Sequence, residues 1–374
     1  MAESIYRRFG LDGVINASGK MTALGGTAQS DAVARAQAEA AQSHVDLETL
    51  RRRAGELVAH YVGSEAASIT SGAAAGIAVA VAACITGTHL DHVLRVPDTE
   101  GLNRRVLLQA GHDINFGASV AQMIRLGGGV PEVIGWVNSV PKTLLDDALA
   151  TRPDVVALLY VQSHHSVQEQ MVPLADCIAA AQRHRVPVIV DAAAEEDLRR
   201  YVELGADLVT YSGGKAIGGP TVGFVAGRRN LIDACELQQR GIARAMKVGK
   251  EAIVGLLVAL EQYSARDSAA DRARQNAVVG ALEKQLAAVS PLRVYRKPDE
   301  AGRGIERLAL ERTDGGDIRA LVKYLAAGSP SIRTRNHHLD DGIALIDPRE
   351  IDASQANVIA DRVRAFFEST SCSD

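Results

Sequence analysis

The segment 206–227, ADLVTYSGGKAIGGPTVGFVAG, decides how the chain folds and where its chemistry lies. Residues 208–211 and 222–226 form two apolar runs that are typical of buried strands, and the glycine-rich turn between them carries Lys215. Glycines on both sides of the lysine let the backbone approach a planar ligand closely. An amine held against apolar strands loses hydration and becomes available as a nucleophile. The segment therefore predicts a strand, a lysine turn and a second strand.

Two upstream segments give this lysine a context, since a loop lysine by itself is more often a solvated side chain. Residues 186–190, VPVIV, end at Asp191, as in a parallel strand with a ligand-binding carboxyl end. Residues 69–76, ITSGAAAG, lead into an alanine-rich helix. Its free N–H groups and hydroxyls predict an anion-binding site at Ser71, Gly72 and Ala73. A lysine, a strand-end carboxylate and a phosphate site are together what pyridoxal phosphate (PLP) requires of a protein.

The order of these three features resembles that of the fold-type-I PLP enzymes, and the lysine segment is similar to the selenocysteine synthase-like family. The resemblance covers residues 6–263 and rests on the segments YSGGKAIGGPTVGFVAGR, VIVDAAAEEDL, TSGAAAG and GIARAMKVGKE. It implies an α/β fold, in which a large domain with a mostly parallel, seven-stranded sheet precedes a small α/β C-terminal domain. We expect an N-terminal arm and helix over 1–50, the PLP-binding domain over 51–255 and the small domain over 256–374, with a long helix over 250–283.

The same resemblance implies a PLP-dependent ammonia-lyase. It would eliminate water and ammonia from a β-hydroxy amino acid, such as the amino-sugar acid D-glucosaminate 6-phosphate, and give a 2-keto-3-deoxy acid. Lys215 would hold the cofactor and remove the α-proton, and Asp191 would keep the ring nitrogen protonated. Thr221 and Gly214 replace the glutamine and aspartate usual in selenocysteine synthases, which argues against that activity. The alternatives are a selenocysteine synthase-like transferase, a racemase, an aldolase, or a non-catalytic α/β protein that binds a phosphate ligand.

Other predicted strand ends supply further candidate residues. His112 follows the strand 105–109, roughly where fold-type-I enzymes place a residue over the cofactor ring, and a core or capping histidine is the alternative. Ser212 is expected to contact the cofactor. The wall of the site is expected to come from residues after the strand 155–161, namely Gln162, Ser163 and His164. The pair His164-His165 does not predict a metal site, because consecutive residues at a strand end point to opposite sides.

Basic residues elsewhere are candidates for binding an anionic substrate. Arg244 and Lys247 are expected to contact phosphate across a subunit interface, and a solvated basic helix start is the alternative. Arg333 and Arg335 alternate by two, so on an extended strand they share one face and can hold one anionic end together. An exposed basic loop is the alternative. In the N-terminal arm, the residues that could approach the site are Asn16, Ser18 and Lys20.

Composition excludes several other classes of protein. The net charge of -4 gives no general basis for binding nucleic acid. The four cysteines, Cys84, Cys177, Cys235 and Cys372, lack the paired spacing of a disulfide framework or a zinc site. The sequence shows neither a signal-peptide pattern nor an apolar span long enough to cross a membrane, so we expect a cytoplasmic protein. Because fold-type-I active sites generally form between subunits, we also expect a homodimer or a larger assembly.

Overall fold

The computed structural model describes residues 5–163, 165–299 and 304–371. Within them the strands are β1 Val14–Ala17, β2 Ala66–Thr70, β3 Arg105–Gln109, β4 Val130–Ile134, β5 Val155–Val161, β6 Val188–Asp191, β7 Leu208–Ser212, β8 Gly223–Gly227, β9 Leu292–Pro298, β10 Glu306–Arg312, β11 Ser331–Thr334 and β12 Ile343–Ile346. The α-helices are α1 Ile5–Arg8, α2 Asp31–Gln42, α3 Leu47–Val62, α4 Ala73–Thr86, α5 Leu90–Arg95, α6 Val120–Leu126, α7 Lys142–Thr151, α8 Leu174–Arg183, α9 Arg200–Glu203, α10 Arg229–Leu237, α11 Lys250–Ser264, α12 Ser268–Leu286, α13 Ile318–Ala327 and α14 Ala353–Ser371.

The larger compact unit, Gln29–Ala265, contains a seven-stranded sheet with the order β2-β8-β7-β6-β5-β3-β4. β8 is antiparallel to both of its neighbours, and the remaining pairs are parallel. All strands except β8 therefore point in one direction. Their carboxyl ends share one edge of the sheet with the amino end of β8, and residues that follow different strands meet at that edge.

Helices cover both faces of this sheet. On one face, side chains of α3, α8 and α11 pack with Leu158, Val190 and Phe224. On the other face, side chains of α4, α6 and α10 pack with Leu159 and Val225. Strands buried on both faces are continuous apolar runs, which is why the sequence pattern identified them. The predicted α/β fold with a mostly parallel sheet is confirmed.

The smaller unit combines the chain's two ends, Met1–Ala28 and Arg266–Asp374. It contains a three-stranded antiparallel sheet with the order β12-β10-β9 and a separate parallel pair, β1 and β11. Side chains of α12, α13 and α14 form one apolar core with these strands. The N-terminal arm belongs to this unit because β1 takes its hydrogen-bonding partner from β11.

The units divide the chain at other places than the sequence-based boundaries after residues 50 and 255. α2 and α3 belong to the larger unit, because α3 packs on β2 and α2 packs on α11. The helix expected over 250–283 is two helices, α11 and α12. Asp267 begins the second helix, since its carboxylate accepts hydrogen bonds from the N–H groups of Ala269 at 2.9 Å and Ala270 at 3.1 Å.

A buried ion cluster lies in the smaller unit. The Arg307 guanidinium donates to Asp299 at 2.5 Å and to Asp347 at 2.8 Å, and Arg349 donates to Asp347 at 2.9 Å. Burial opposes ionisation of Asp347, but the charges and hydrogen bonds of Arg349 and Arg307 prevail and lower its pKa to about 2. The backbone N–H of Asp347 donates to the Ala17 carbonyl at 2.9 Å, so the cluster lies beside the arm.

Replacing Arg307 with methionine removes the cation that the buried carboxylates of Asp299 and Asp347 share, and Asp347 keeps only its contact with Arg349. We expect Arg307→Met to lower the free energy of unfolding by about 3–5 kcal/mol. Arg296→Met is the matched control, because Arg296 forms exposed ion pairs with Glu283 and Glu306, and its loss is expected to cost at most about 1 kcal/mol. Urea unfolding followed by circular dichroism measures both changes. Equal losses in the two variants would contradict the role given to the cluster.

Candidate active site

The lysine turn leaves the sheet at the end of β7 and returns to it at β8. Two short backbone hydrogen bonds close the turn. The Gly213 N–H donates to the Val222 carbonyl at 2.7 Å, and the Gly219 N–H donates to the Gly213 carbonyl at 2.7 Å. Lys215 lies within this turn and is half-buried. The backbone therefore fixes the origin of the lysine side chain at the edge where the strands end.

Asp191 is the last residue of β6, and its side chain is only 6% exposed. Its Oδ1 accepts hydrogen bonds from the Ala193 N–H at 3.1 Å and from the Thr210 hydroxyl at 3.3 Å. Burial raises the pKa of Asp191, while the positive charge of Lys215 and the two hydrogen bonds act in the opposite direction. The fold thus places a buried carboxylate within electrostatic reach of the lysine.

The predicted phosphate site lies where β2 ends and α4 begins. Gly72 is the residue before α4, and as a glycine it has no side chain that could cap the helix. The first turn of α4 carries no acidic residue. A Cβ on Gly223 would lie 2.6 Å from the Gly72 carbonyl carbon, whereas a Cβ on Gly72 would meet nothing within 4 Å. Ser71 is half-buried and Ala73 is buried. The helix start therefore presents free N–H groups and open space, which suits an anion.

His112 is fully buried and has a core environment. Its ring packs edge-on against Tyr160, with centroids 4.4 Å apart, and its Nδ1 accepts a hydrogen bond from the Val161 N–H at 3.3 Å. Burial lowers the pKa of His112 to about 4, against a raising contribution from Gln168, so the imidazole is neutral at physiological pH. This placement favours the core-histidine alternative over the expected contact with a cofactor ring.

The segment after Asp191 is held by tyrosines that the sequence did not single out. Tyr201 donates to the Glu195 carboxylate at 3.0 Å, and Tyr211 donates to the Asp197 carbonyl at 3.2 Å. Tyr263 donates to the carbonyl of Glu196, which lies between Glu195 and Asp197. The contact of Tyr263 joins residues 67 apart in sequence, and no local pattern signals it. The three tyrosine contacts fix the backbone that leaves the end of β6.

The remaining candidates at this edge are less constrained. Gln162 is half-buried, and its N–H donates to the Asp191 carbonyl at 2.9 Å. Ser163 and Ser212 are also half-buried. His164, another predicted wall residue, lies outside the described residues. Gln162 therefore lies beside Asp191 on the neighbouring strand end, and Ser212 lies three residues before Lys215.

The basic candidates occupy different surroundings. Arg244 and Lys247 are exposed in the larger unit, on and just after a short 3-10 segment, Ile242–Met246. In the smaller unit Arg333 is exposed on β11, opposite the half-buried Asn16 of β1, whereas Arg335 is only 2% exposed.

The two arginines were expected to share one face, but Arg333 is exposed and Arg335 is buried. β11 ends at Thr334, and Arg335 forms a bridge with Leu345 instead of continuing the pairing with β1. In the arm, Ser18 is buried and Lys20 is half-buried. Among the described residues, no group of three or more His, Cys, Asp or Glu side chains is arranged to hold a metal ion. A search of the same residues finds no helix with the length and apolar character needed to cross a membrane.

Asp191 at the end of β6 and Lys215 after β7 lie at the carboxyl edge of a mostly parallel seven-stranded sheet, a fold found in fold-type-I PLP enzymes. The fold is shared with a solved serine palmitoyltransferase from Sphingomonas wittichii, at a TM-score of 0.58 and 15% identity over 96% of this chain and 88% of that chain. The chain belongs to the L-seryl-tRNA selenium transferase (SelA) family, whose model matches residues 14–290. The family resemblance inferred from the motifs is confirmed.

Within this family two curated relatives are similar over nearly their full lengths. The D-glucosaminate-6-phosphate ammonia lyase of Salmonella typhimurium (strain 14028s / SGSC 2262) is 41% identical over 372 residues, which is 98% of this chain and 99% of that protein. A 5'-C-glycyluridine monooxygenase-decarboxylase from a Streptomyces species is 42% identical over 367 residues, 97% of this chain and 92% of that protein. A solved structure of D-glucosaminate-6-phosphate ammonia-lyase covers 99% of this chain and 100% of that chain, with a TM-score of 0.91.

The raised pKa of Asp191 predicts how its neutral replacement affects the cofactor-free protein. A carboxyl group whose pKa is raised by folding weakens the folded state as pH rises through that pKa. We therefore expect Asp191→Asn to raise the thermal midpoint of the cofactor-free protein at slightly alkaline pH, with a gain that shrinks as pH falls. Asp207→Asn is the control, because Asp207 lies at the opposite end of β7, pairs with Arg228 at 3.0 Å and should lose stability when neutralised. A loss of stability in both variants would contradict this account of Asp191.

Proposed function

We propose that this chain is a PLP-dependent ammonia-lyase that acts on a phosphorylated amino-sugar acid such as D-glucosaminate 6-phosphate. The observation that carries the proposal is the placement of Asp191 and Lys215 within electrostatic reach of each other at one sheet edge. The similarity to the Salmonella relative and to the solved structure of the same name supports the choice of substrate. The products would be a 2-keto-3-deoxy acid and ammonia.

The residues present fit PLP as the cofactor. The N–H groups at the start of α4, beside the open space at Gly72, suit a phosphate, and Ser71 directly precedes this helix start. Ser212 pairs with Gly223, whose backbone lies against Gly72. The buried carboxylate of Asp191 suits a protonated ring nitrogen, since a cation there offsets the burial that raises its pKa. When bound, PLP supplies an electron sink for negative charge that develops at the substrate α-carbon.

The side chains then have distinct tasks in the proposed reaction. Lys215 Nζ takes the proton from the substrate α-carbon, and the half-buried position of this lysine keeps the amine partly out of water. Asp191 holds its negative charge against the ring nitrogen. Water leaves from the β-carbon and one water enters at the α-carbon as ammonia departs. The substrate is therefore converted to keto acid and ammonium without a net gain or loss of water.

The direct test is release of ammonia and keto acid from D-glucosaminate 6-phosphate by the purified protein supplied with PLP. Glucosaminate without the phosphate and simple β-hydroxy amino acids serve as comparison substrates. The Streptomyces relative is about as similar to this chain as the Salmonella relative, but it is a monooxygenase-decarboxylase by name. Carbon dioxide release is therefore measured in parallel. Carbon dioxide without ammonia would overturn the lyase assignment.

Several further assignments remain proposals. Gln162 and His164 stay candidates for contacting the cofactor, and His112 stays a candidate for a contact with the cofactor ring, although its burial favours a core role. Self-association to a dimer or larger assembly, which sedimentation velocity tests, would let the exposed Arg244 and Lys247 reach a neighbouring subunit's site. A cytoplasmic location also stays a prediction.

Lys215→Ala is expected to abolish covalent retention of PLP. In the wild-type protein, borohydride should fix the cofactor to the chain, so that it survives denaturation and adds to the mass of the peptide containing Lys215. The variant should lose this label and about 10²–10⁴-fold in turnover, because the proton acceptor is gone. Lys142→Ala is the matched control, since Lys142 only pairs with Asp176 in an exposed position. A label that persists in Lys215→Ala would place the cofactor on another lysine.

Arg333 and Arg335 are predicted to bind the anionic ends of the substrate. Because uniform binding is lost when such a contact is removed, Arg333→Ala or Arg335→Ala should raise KM strongly, while the cofactor spectrum and kcat change little. A lost charge-assisted hydrogen bond of about 1.5–3 kcal/mol corresponds to roughly a 10- to 150-fold change in KM. Arg293→Ala provides the control, since Arg293 is largely exposed on β9. If KM is the same in all three variants as in the wild type, neither arginine contacts the substrate.

A further inference from the structure

Thr210 contacts both Asp191 and the helix α4, although it does not lie at a strand end. It lies on β7 directly opposite Asp191 of β6 in the parallel register, and it is completely buried. Its hydroxyl donates to Asp191 Oδ1 at 3.3 Å. Register partners in a parallel pair point to the same side of a sheet, so both side chains lie on the face covered by α4.

The methyl group of Thr210 contacts the helix whose start forms the predicted phosphate site. A Cβ added at Gly76 of α4 would lie 3.2 Å from Thr210 Cγ2 and 3.3 Å from Val225 Cγ2. That is tighter than most Cβ contacts, so an alanine at this position would require Thr210 or Val225 to move by a few tenths of an ångström. Thr210 is therefore a point where the helix and the carboxylate meet.

The hydroxyl acts on the charge of Asp191. A hydrogen bond donated to the ionised form lowers the pKa of a carboxyl group, and Thr210 contributes in that direction together with the Ala193 N–H. Among the described residues, Lys215 is the charged group that acts on Asp191. On the neighbouring strand β5, the residue opposite Asp191 is the uncharged Val161. The Thr210 hydroxyl is thus the uncharged side-chain donor that favours ionisation at this position.

We propose that Thr210 is a positioning residue that keeps Asp191 ionised through its hydroxyl and seats the phosphate-binding helix through its methyl group. The tasks given to Asp191 and α4 rest on the proposed function. The contacts themselves do not depend on which substrate the enzyme takes. Two nearly isosteric replacements separate the two groups: Thr210→Val keeps the methyl group and removes the hydroxyl, and Thr210→Ser does the reverse.

The first readout uses the cofactor-free full-length protein and needs no activity. Removing the hydroxyl raises the pKa of Asp191 further, so more of the folded-state stability is lost as pH rises. As pH rises above the ordinary pKa of an aspartate, the thermal midpoint of Thr210→Val should fall increasingly below that of the wild type. The curve of Thr210→Ser should run parallel to that of the wild type. In an Asp191→Asn background, which carries no titrating carboxyl, the pH dependence of the Thr210→Val effect should vanish.

The second readout uses the protein loaded with PLP. Thr210→Val is expected to lower kcat about 10-fold or more, as loss of a hydrogen bond to a charged group implies, with little change in KM. Thr210→Ser should retain the wild-type kcat and pH profile. Conversely, Thr210→Ser and Gly76→Ala should weaken the binding of PLP to the cofactor-free protein, because both disturb the packing of α4 against β7.

The outcomes separate this inference from the proposed function. If the thermal curves of Thr210→Val and Thr210→Ser have the same pH dependence, or if the effect persists in the Asp191→Asn background, Thr210 does not act through Asp191. If the curves behave as expected but the wild-type protein releases no ammonia from amino-sugar acids, the positioning role stands and the proposed substrate fails. Unchanged PLP affinity in both Thr210→Ser and Gly76→Ala would overturn the helix-seating part.

Discussion

The burial of Asp191 is the constraint on which the organisation of the larger unit depends. An ionised carboxylate in a protein interior is unfavourable unless hydrogen bonds and an opposite charge compensate it. The strand directions bring such groups to one place: Ala193 follows just after the end of β6, Thr210 lies opposite on β7, and Lys215 comes from the turn after β7. These partners do not cancel the effect of burial, because the pKa of Asp191 stays raised. The folded protein therefore holds a carboxylate that a bound cation would stabilise, as expected of a ligand site and not of a structural ion pair.

The smaller unit shows the opposite solution to the same problem. Asp347 is as deeply buried as Asp191, yet the guanidinium groups of Arg307 and Arg349 lower its pKa to about 2. Its charge is fully compensated within the protein, and the cluster lies where the segment after β12 meets the arm at Ala17. One aspartate is thus structural and the other is poised for a ligand. The difference lies in whether the fold supplies arginine donors in fixed geometry or leaves the compensation incomplete.

Features set by consecutive residues could be predicted from the sequence, and features set by pairing between distant residues could not. The apolar runs before Asp191 and Lys215 identified β6 and β7, and a parallel sheet brings strand ends together, so the central pair followed from local patterns. Thr210 was missed because its importance depends on the register of β6 with β7. The burial of Arg335 was missed for a similar reason, since it depends on a bridge to Leu345. The break between α11 and α12 did have a local signal in the capping residue Asp267, but the helical periodicity on both sides concealed it.

The two relatives at 41% and 42% identity are named for different reactions, so overall similarity does not select the reaction. The groups at the sheet edge serve any reaction in which a PLP ring accepts charge from an α-carbon, because a ring-side carboxylate, a lysine and a phosphate site are requirements of the cofactor. Residues that distinguish one substrate from another must instead contact its outer groups. A sugar acid phosphate has two anionic ends, each of which needs a cation, whereas a site for a neutral sugar would leave such cations without a partner anion. Under the proposed function, the basic residues outside the sheet edge, Arg244, Lys247, Arg333 and Arg335, are the candidates for contacting these anionic ends.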